Sequence, residues 1–330
     1  MKRSQKRILS ISIILIVVLL VVGYMKFFNG TGIYLSTGMK KTELVKVDGN
    51  VGYTFEANLL MSDAKKQYEK IFGTDVWNQQ INGISFADYT KDQIRSKMIR
   101  IQCMNVYAEE KGVVLSRDEK EAVSHAVDEY MAGLTETQID ALSITKDKLN
   151  DMFTDFAVAQ RVYNDMISVM NIEVSSDDAR VIDILYLCTE SQDDINKAKT
   201  ELAAGSSFYT VVNKYNTGDK YEYELKRGEM NEAFEKAAFN LKSGETSDVI
   251  EVDGKYYLIK CTSDNDKVKT EVNKTTLLSQ KQLEQFNETF EEYESKIYVE
   301  WNNSQWEKMQ VSANEVYGVN FEEIFNQYLK

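Results

Sequence analysis

The chain has 330 residues, 43% of them hydrophobic and 28% charged, with 52 acidic against 39 basic side chains and a net charge of −13. Residues 1–30 carry five basic side chains and no acid, so the remainder holds 34 basic against 52 acidic residues, a net −18. A body this acidic is excluded as a nucleic-acid binder, because phosphate contacts are built from Lys and Arg; it suits basic or unfolded cationic polypeptides.

Taken in chain order, Lys2, Arg3, Lys6 and Arg7 precede an apolar run over residues 8–25, broken only by Ser10, Ser12, Gly23 and Tyr24. Eighteen helical residues span roughly 27 Å, close to the hydrocarbon thickness of a bilayer. The basic flank places the N-terminus in the cytoplasm and the body outside it. A cleaved signal peptide would need a small-x-small site, for which Val21-Val22-Gly23 is a weak match. A lipoprotein would need a cysteine just after the run, and the first is Cys103. An uncleaved single-span anchor is therefore the expectation, with cleavage left open. Residues 26–40 read as a tether; Gly30-Thr31-Gly32 has no strand before it and so makes no phosphate loop.

Residues 44–47 predict a short strand and Asp48-Gly49-Asn50 a turn. From about Phe55 the pattern is helical. Thr90-Lys91-Asp92-Gln93 reads as a capping box opening a helix that carries Ile94, Met98, Ile101 and Met104 on one face and ends at Gly112. Ser116-Arg117-Asp118-Glu119 is a second capping box. A helix over residues 146–170 carries Leu149, Met152, Phe156, Ala159, Tyr163, Met166 and Met170 in steps of three and four. That heptad-like seam is expected to be bundle core facing another helix.

Val174-Ser175-Ser176-Asp177-Asp178 punctuates the chain. Residues 181–187 (VIDILYL) then predict a strand, residues 193–203 and 207–214 helices, and residues 248–252 and 255–261 two strands turned at Asp253-Gly254. Beyond Thr262 the chain becomes helical again, with Leu283, Phe286, Phe290, Tyr293, Ile297 and Trp301 on one apolar face and Phe321, Ile324, Phe325 and Tyr328 on another. These faces need a partner, and the N-terminal helices supply it.

The expected organisation is α+β: residues 1–30 a basic tail and anchor, 31–175 an N-terminal helical segment, 176–263 an inserted module, and 264–330 helices that return to complete the helical domain. The chain has no proline, where ordinary usage of about 5% would give roughly 16; X-Pro isomerisation therefore limits no folding step of this chain. Cys103, Cys188 and Cys261 lie far apart without a CxxC, and reduced, buried thiols are expected rather than a redox or zinc motif. The single histidine, His125, lies on a helix between Glu121 and Glu129, a solvated face.

Within the module, Arg227-Gly228-Glu229-Met230, the run FEKAAFNL at residues 234–241, Gly244-Glu245-Thr246-Ser247 and a closing strand at residues 256–260 resemble the C-terminal half of a parvulin-type peptidyl-prolyl isomerase domain. The basic-apolar start, the helices before the module and the amphipathic tail after it are similar to the plan of extracytoplasmic foldases of the PrsA/SurA-like group. The resemblance implies a prolyl-ring pocket at Met230 and Phe234, which Leu225 would join. It also implies a polar pair at the positions of the family's two histidines, where this chain has Asp183 and Tyr257.

The two could replace the histidines as a phenol–carboxylate hydrogen bond between opposed strands. The family's Ser or Thr near the last turn falls on Gly254, and its Cys or Asp region falls in the short loop from Asn216 to Lys220. The expected register sets Cys188 near Val252 and Cys261 near Ala179.

Prolyl isomerisation requires no metal, cofactor or nucleophile, only an apolar pocket and polar groups oriented on the twisted amide. The function implied is a membrane-anchored folding factor for extended or unfolded secreted polypeptides, with catalysis reduced or absent. The alternatives are a non-catalytic chaperone and a membrane-tethered assembly factor, and the sequence leaves a homodimer open. There is no GxSxG, no HExxH and no second histidine to suggest hydrolysis.

Overall fold

The computed structural model describes residues 33–35, 38–218 and 221–329. Its elements are, in chain order, β1 (Ile33–Leu35), β2 (Glu43–Val47), β3 (Asn50–Tyr53), α1 (Thr54–Phe72), a hairpin of β4 (Gln80–Ile81) and β5 (Ile84–Ser85), α2 (Phe86–Lys111), α3 (Arg117–Ala132), α4 (Glu136–Leu142) and α5 (Lys146–Ser168). There follow β6 (Ile182–Thr189), α6 (Gln192–Ala203), α7 (Phe208–Tyr215), β7 (Glu222–Leu225), α8 (Glu232–Asn240), β8 (Ile250–Val252), β9 (Lys255–Ser263), α9 (Lys267–Glu294), β10 (Val299–Trp301), α10 (Asn303–Trp306) and α11 (Phe321–Tyr328). The class is α+β. The chain divides into two compact units, one of residues up to 170 with 283–330, the other of residues 171–282. No helix among the described residues is long and apolar enough to cross a membrane, and the apolar run at 8–25 lies outside them.

The first unit is a helical body on a small sheet ordered β1-β10-β2-β3. Part of the expected tether is therefore a strand: Ile33–Leu35 pairs in parallel with β10. The β2–β3 turn at Asp48-Gly49 has positive φ at both residues, 43° and 97°, the backbone that Asp-Gly favours in a two-residue hairpin. The second capping box forms as read, with Ser116 N donating to Glu119 Oε2 at 2.7 Å.

The first does not. Helix α2 starts one turn earlier, at Phe86, because Ser85 takes the cap and accepts from Asp88 N at 3.0 Å. Thr90 lies inside the helix, buried, its hydroxyl donating to Phe86 O at 2.8 Å. The apolar face read through Trp301 is also interrupted. Helix α9 stops at Glu294, and Val299–Trp301 forms a strand paired with β2. A side chain four residues along satisfies helical spacing and strand alternation alike.

The seam of α5 is bundle core: Leu149, Met152, Phe156 and Ala159 are buried, with Tyr163, Met166 and Met170 half-buried against the same cluster. The C-terminal segment seats on it through Phe321, whose ring centroid lies 4.5 Å from Phe153 and 4.7 Å from Phe156. Polar ties to α1 fix the register of this tail. Tyr317 N donates to Ser62 Oγ at 2.9 Å, and Glu322 N donates to Asp63 Oδ2 at 3.1 Å, so a buried carboxylate sits at the start of α11. Arg100 grips the end of α9, reaching Glu294 at 3.1 and 3.2 Å and Asn287 Oδ1 at 2.6 Å. His125 is exposed and stacks beside Tyr328.

Burial of acids in this unit has a thermodynamic consequence. Desolvation pushes the Asp63 carboxyl up to about 7, against the pull of the Glu322 N–H. It pushes Asp155 up to about 6 despite a hydrogen bond from Gln102. Glu56, wholly buried, is held well above the carboxylate range for the same reason. A folded-state pKa above the unfolded value of about 3.9–4.3 means that the native state keeps protons the unfolded chain has lost, so stability falls as pH rises through that window. All three tryptophans, Trp77, Trp301 and Trp306, belong to this unit, so their fluorescence reports its unfolding. The urea midpoint is expected to be higher at pH 5.5 than at pH 8, with Asp63→Asn flattening the slope. A midpoint that falls on acidification across this range would contradict the assignment.

Candidate functional site

The second unit is a four-stranded antiparallel sheet ordered β7-β6-β9-β8. Strand β6 is hydrogen-bonded on both sides, and its alternation sorts its side chains between two cores. Leu185 and Leu187 join Ile195, Ala198, Phe208, Val211, Val212 and Leu258 beneath α6 and α7. Ile182 and Ile184 join Leu225, Phe234, Ala238, Phe239 and Ile259 beneath α8, with Tyr186, Tyr223, Met230, Ile250 and Tyr257 half-buried at the margin of that cluster. The aromatic margin is where a ligand could reach the α8 face.

The motif around Arg227 builds this margin. Gly228 takes φ +84°, a turn conformation that a side chain would strain. Arg227 donates to Asp177 O at 3.0 Å and lies 4.4 Å above the ring of Phe239, with Arg180 5.2 Å from the same ring. The arginine of the motif is thus a packing residue. Asn231 caps α8, accepting from Ala233 N at 2.9 Å, and Met230 N donates to Glu235 Oε1 at 2.9 Å, which sets Met230 just before the helix. One turn on, Phe234 faces the sheet at 3% exposure, edge-on to Tyr257 at 5.4 Å and to Tyr186 at 6.1 Å.

The structure brings Met230, Phe234 and Tyr257 together and leaves two expected residues outside. Leu225 is fully buried, paired opposite Ile182, so it is floor beneath the site rather than a wall of it. Asp183 is the larger correction. It is opposed to Glu224 on β7 and to Ser263 on β9, whereas Tyr257 is opposed to Cys188. Asp183 lies five positions before Cys188 on β6, an odd step, so it points to the face opposite Cys188 and its partner Tyr257. The phenol–carboxylate pair does not form. Asp183 instead accepts from Lys269 Nζ at 2.9 Å, and the same ammonium meets Glu224 at 2.7 Å and Asp266 at 3.2 Å. These carboxylates hold the Lys269 ammonium well above its ordinary pKa against partial desolvation. Asp183 thus ties the sheet to the first turn of α9.

Two residues that the motif did not single out stand beside Tyr257 on the polar side of the site. Cys188 is opposite Tyr257 on β9, and Tyr186 stands two residues before Cys188 on the same face. Burial, then the Cys188 contact, pushes the Tyr257 phenol up to about 12, and burial also raises Tyr186. Strand alternation back from Cys188 would have found Tyr186, given the register. The expected register was wrong: Cys188 meets Tyr257 rather than Val252, and Cys261 meets Ile184. All three cysteines are buried and free. Gly254 lies in the β8–β9 turn with Asp253, at φ +75° and +50°. Of the loop from Asn216 to Lys220, the Asn216 side-chain Oδ1 accepts from Cys188 N at 2.8 Å and Thr217 N donates to Cys188 O at 2.9 Å, and Asp219 and Lys220 lie outside the described residues. No cluster of metal-ligating side chains occurs among the described residues.

The family model of the PPIC-type PPIASE domain matches residues 170–274. The chain is 24% identical over 263 residues to the foldase protein PrsA of Caldanaerobacter subterraneus subsp. tengcongensis, across 74% of this chain and 82% of that protein. It is 28% identical over 151 residues to the foldase protein PrsA of Bacillus subtilis, across 41% of this chain and 50% of that one. Among solved structures, PrsA from Bacillus cereus covers 88% of this chain and 100% of its own at 14% identity, with a TM-score of 0.37.

The geometry separates the two motif side chains energetically. Phe234→Ala should cost the second unit about 3–5 kcal/mol, the range for a buried aromatic, whereas half-exposed Met230→Ala should cost about 1 kcal/mol, the centre for ordinary point changes. Hydrogen exchange of the β6 and β9 amides measures both. Equal losses would show that Met230 is core and not an accessible wall.

Proposed function

We propose that this chain, a member of the PrsA/SurA-like parvulin family, is an extracytoplasmic folding factor that holds extended segments of other polypeptides at its Met230–Phe234 site and isomerises X-Pro bonds slowly or not at all. The observation that carries this reading is the split of the site. The apolar half is assembled, with Met230 half-exposed beside the Phe234–Tyr257–Tyr186 rings. Of the polar pair that the resemblance implied only Tyr257 stands at the site, since Asp183 lies on the other face in an ion pair with Lys269.

An apolar surface that lacks a polar pair to act on the twisted amide binds ground and transition states about equally, which lowers the dissociation constant and leaves the rate unchanged. The acidic body supports cationic or unfolded clients and keeps the complex soluble. The basic residues before the apolar run at 8–25 support a single-span anchor with the body outside the cytoplasm; the full chain would then stay in the membrane pellet through an alkaline wash, and release into the supernatant would remove the anchor.

The test pairs two measurements on the chain. NMR exchange on a peptide with one X-Pro bond should give a rate within about twofold of the uncatalysed one, far below the barrier reductions typical of enzymes. Suppression of aggregation of a refolding, proline-rich client should be clear and weakened by Met230→Ala. A large rate enhancement abolished by Met230→Ala would make the chain an isomerase. Undiminished suppression by Met230→Ala would place client binding elsewhere.

A further inference from the structure

We propose that the α6/α7 face of the second unit's sheet, the side away from Met230 and Phe234, holds a second ligand site. It takes the C-terminal residue of another polypeptide, with the free carboxylate at Lys260 and an apolar side chain among Leu202, Phe208 and Tyr209. Its ligand does not depend on the client reading of the α8 face.

The site begins with a row across the sheet. Lys260 on β9 is opposed by Leu185 on β6 and, through an isolated antiparallel bridge, by Thr246. Opposed residues share a face and are the closest side-chain neighbours a sheet offers. Lys260 stands two residues beyond Leu258, so strand alternation turns it toward the core beneath α6 and α7. The run Gly244-Glu245-Thr246-Ser247 fixes the third member of the row by lacing along β9. Ser247 N donates to Ile259 O at 2.8 Å, Cys261 N to Glu245 O at 3.0 Å and Gly244 N to Cys261 O at 2.8 Å. Beside the row lies a cleft of about 230 Å³. Its floor and walls are apolar: Leu185 and Phe208 are 5% and 3% exposed, Leu202 is half-buried, and Tyr209 stands at the rim. The Tyr209 hydroxyl donates to Glu222 Oε1 at 3.1 Å, which steadies that rim.

The polar groups of the cleft are donors in want of an acceptor. Ser206, Thr246 and Lys260 line it, and none of these three side chains bonds or pairs with a described residue. Ser207 is already used, its Oγ capping α7 by accepting from Thr210 N at 3.1 Å. The nearby acids are used as well. Asp248 pairs with Lys199 at 2.8 Å, Glu201 pairs with Lys214 at 2.5 Å, Glu222 holds Tyr209, and Glu245 Oε2 accepts from Lys242 N at 2.8 Å. In a chain of net charge −13, Lys260 is thus a half-buried ammonium against apolar walls with no carboxylate to meet it. Such a group is stabilised by an anion that shares its burial.

Charge and size then select the ligand. An ammonium flanked by two hydroxyls matches a carboxylate, which accepts on both oxygens. The volume falls below the range of about 300–1,000 Å³ for drug-sized ligands and suits a single residue. Thr246 and Tyr209 are exposed, so the preceding chain leaves over them into solvent. An internal Asp or Glu brings the charge without the apolar group, and an internal Leu or Val brings the apolar group without the charge. Only the last residue of a chain carries both on one carbon, and capture of that carboxylate is a known mode of peptide recognition.

The test is fluorescence anisotropy of a short peptide ending in Ala-Leu, labelled at its N-terminus and titrated with the full chain. Hydrogen exchange in β6 and β9 shows that each variant stays folded. Amidating the peptide terminus or making Lys260→Gln should each weaken binding about ten- to a hundredfold, the range for a hydrogen bond to a charged group. Thr246→Val should weaken it about two- to tenfold, as for a neutral bond. A peptide ending in Ser should bind about tenfold more weakly, the worth of a partly buried aliphatic side chain. Lys199→Gln, which removes the same charge from the neighbouring helix α6, should leave the affinity unchanged. Equal affinity for acid and amide overturns the proposal, as does wild-type affinity in Lys260→Gln. An equal loss in Lys199→Gln overturns it by making the binding a matter of net charge. Loss in Met230→Ala with none in Lys260→Gln places the peptide on the α8 face and overturns it too. N-acetyl-leucine should displace the labelled peptide. A chain that binds N-acetyl-leucine but not the peptide takes a free small carboxylate, and the assignment to a polypeptide end fails.

Discussion

Strand β6 is flanked by β7 and β9, with one hydrophobic cluster above it and another below. A strand so placed cannot slip by one residue without turning Leu185 and Leu187 out of one core and Ile182 and Ile184 out of the other, since every side chain would change face. That constraint holds the second unit together, and it also fixes the chemistry. It sends Asp183 to the side of Glu224 and Lys269, and it sends Tyr186 and Cys188 to the side of Phe234 and Tyr257. Two positions that a motif comparison treats as one functional pair are thereby assigned different work, one to fasten a helix and one to line a site.

The first unit depends on a different economy. Its bundle is closed by aromatic contacts of Phe321 with Phe153 and Phe156, about half the chain away in sequence. The polar groups that set the register of the tail are buried with them. Asp63 and Glu56 are acids in places where charge is costly, and the structure meets the cost by holding them toward their neutral forms. Asp63 and Ser62 specify one seat for the tail among apolar alternatives, and the buried acids lower stability in alkaline solution.

Much of the fold is legible where a signal is local. Asp253-Gly254 and Asp48-Gly49 announce their hairpins because few residues tolerate two successive positive φ angles. Ser116 and Glu119 announce a helix start because both halves of the box lie within four residues. Ser85 and Thr90 show the limit. Each is followed three residues later by a plausible partner, and only burial decides, since Thr90 is under the bundle and Ser85 is at its edge. Trp301 shows another: spacing alone does not separate the end of a helix from a short strand. The site was legible by halves. Met230 and Phe234 follow from a contiguous motif. The partner of Tyr257 could not, because β6 and β9 are joined through three helices and two further strands rather than a turn, and no local residue fixes their register.

The central claim is that the site consists of Met230 and the Tyr257 face, with Asp183 excluded from it. The most direct measurement is NMR of the chain carrying labelled methionine methyls, tyrosine rings and lysine ammonium groups, titrated with an unlabelled proline-containing extended peptide. The account predicts saturable shifts at the Met230 methyl and at the rings of Tyr257 and Tyr186, with the Lys269 ammonium beside Asp183 undisturbed. Shifts centred on Lys269, with Met230 and Tyr257 silent, would contradict it.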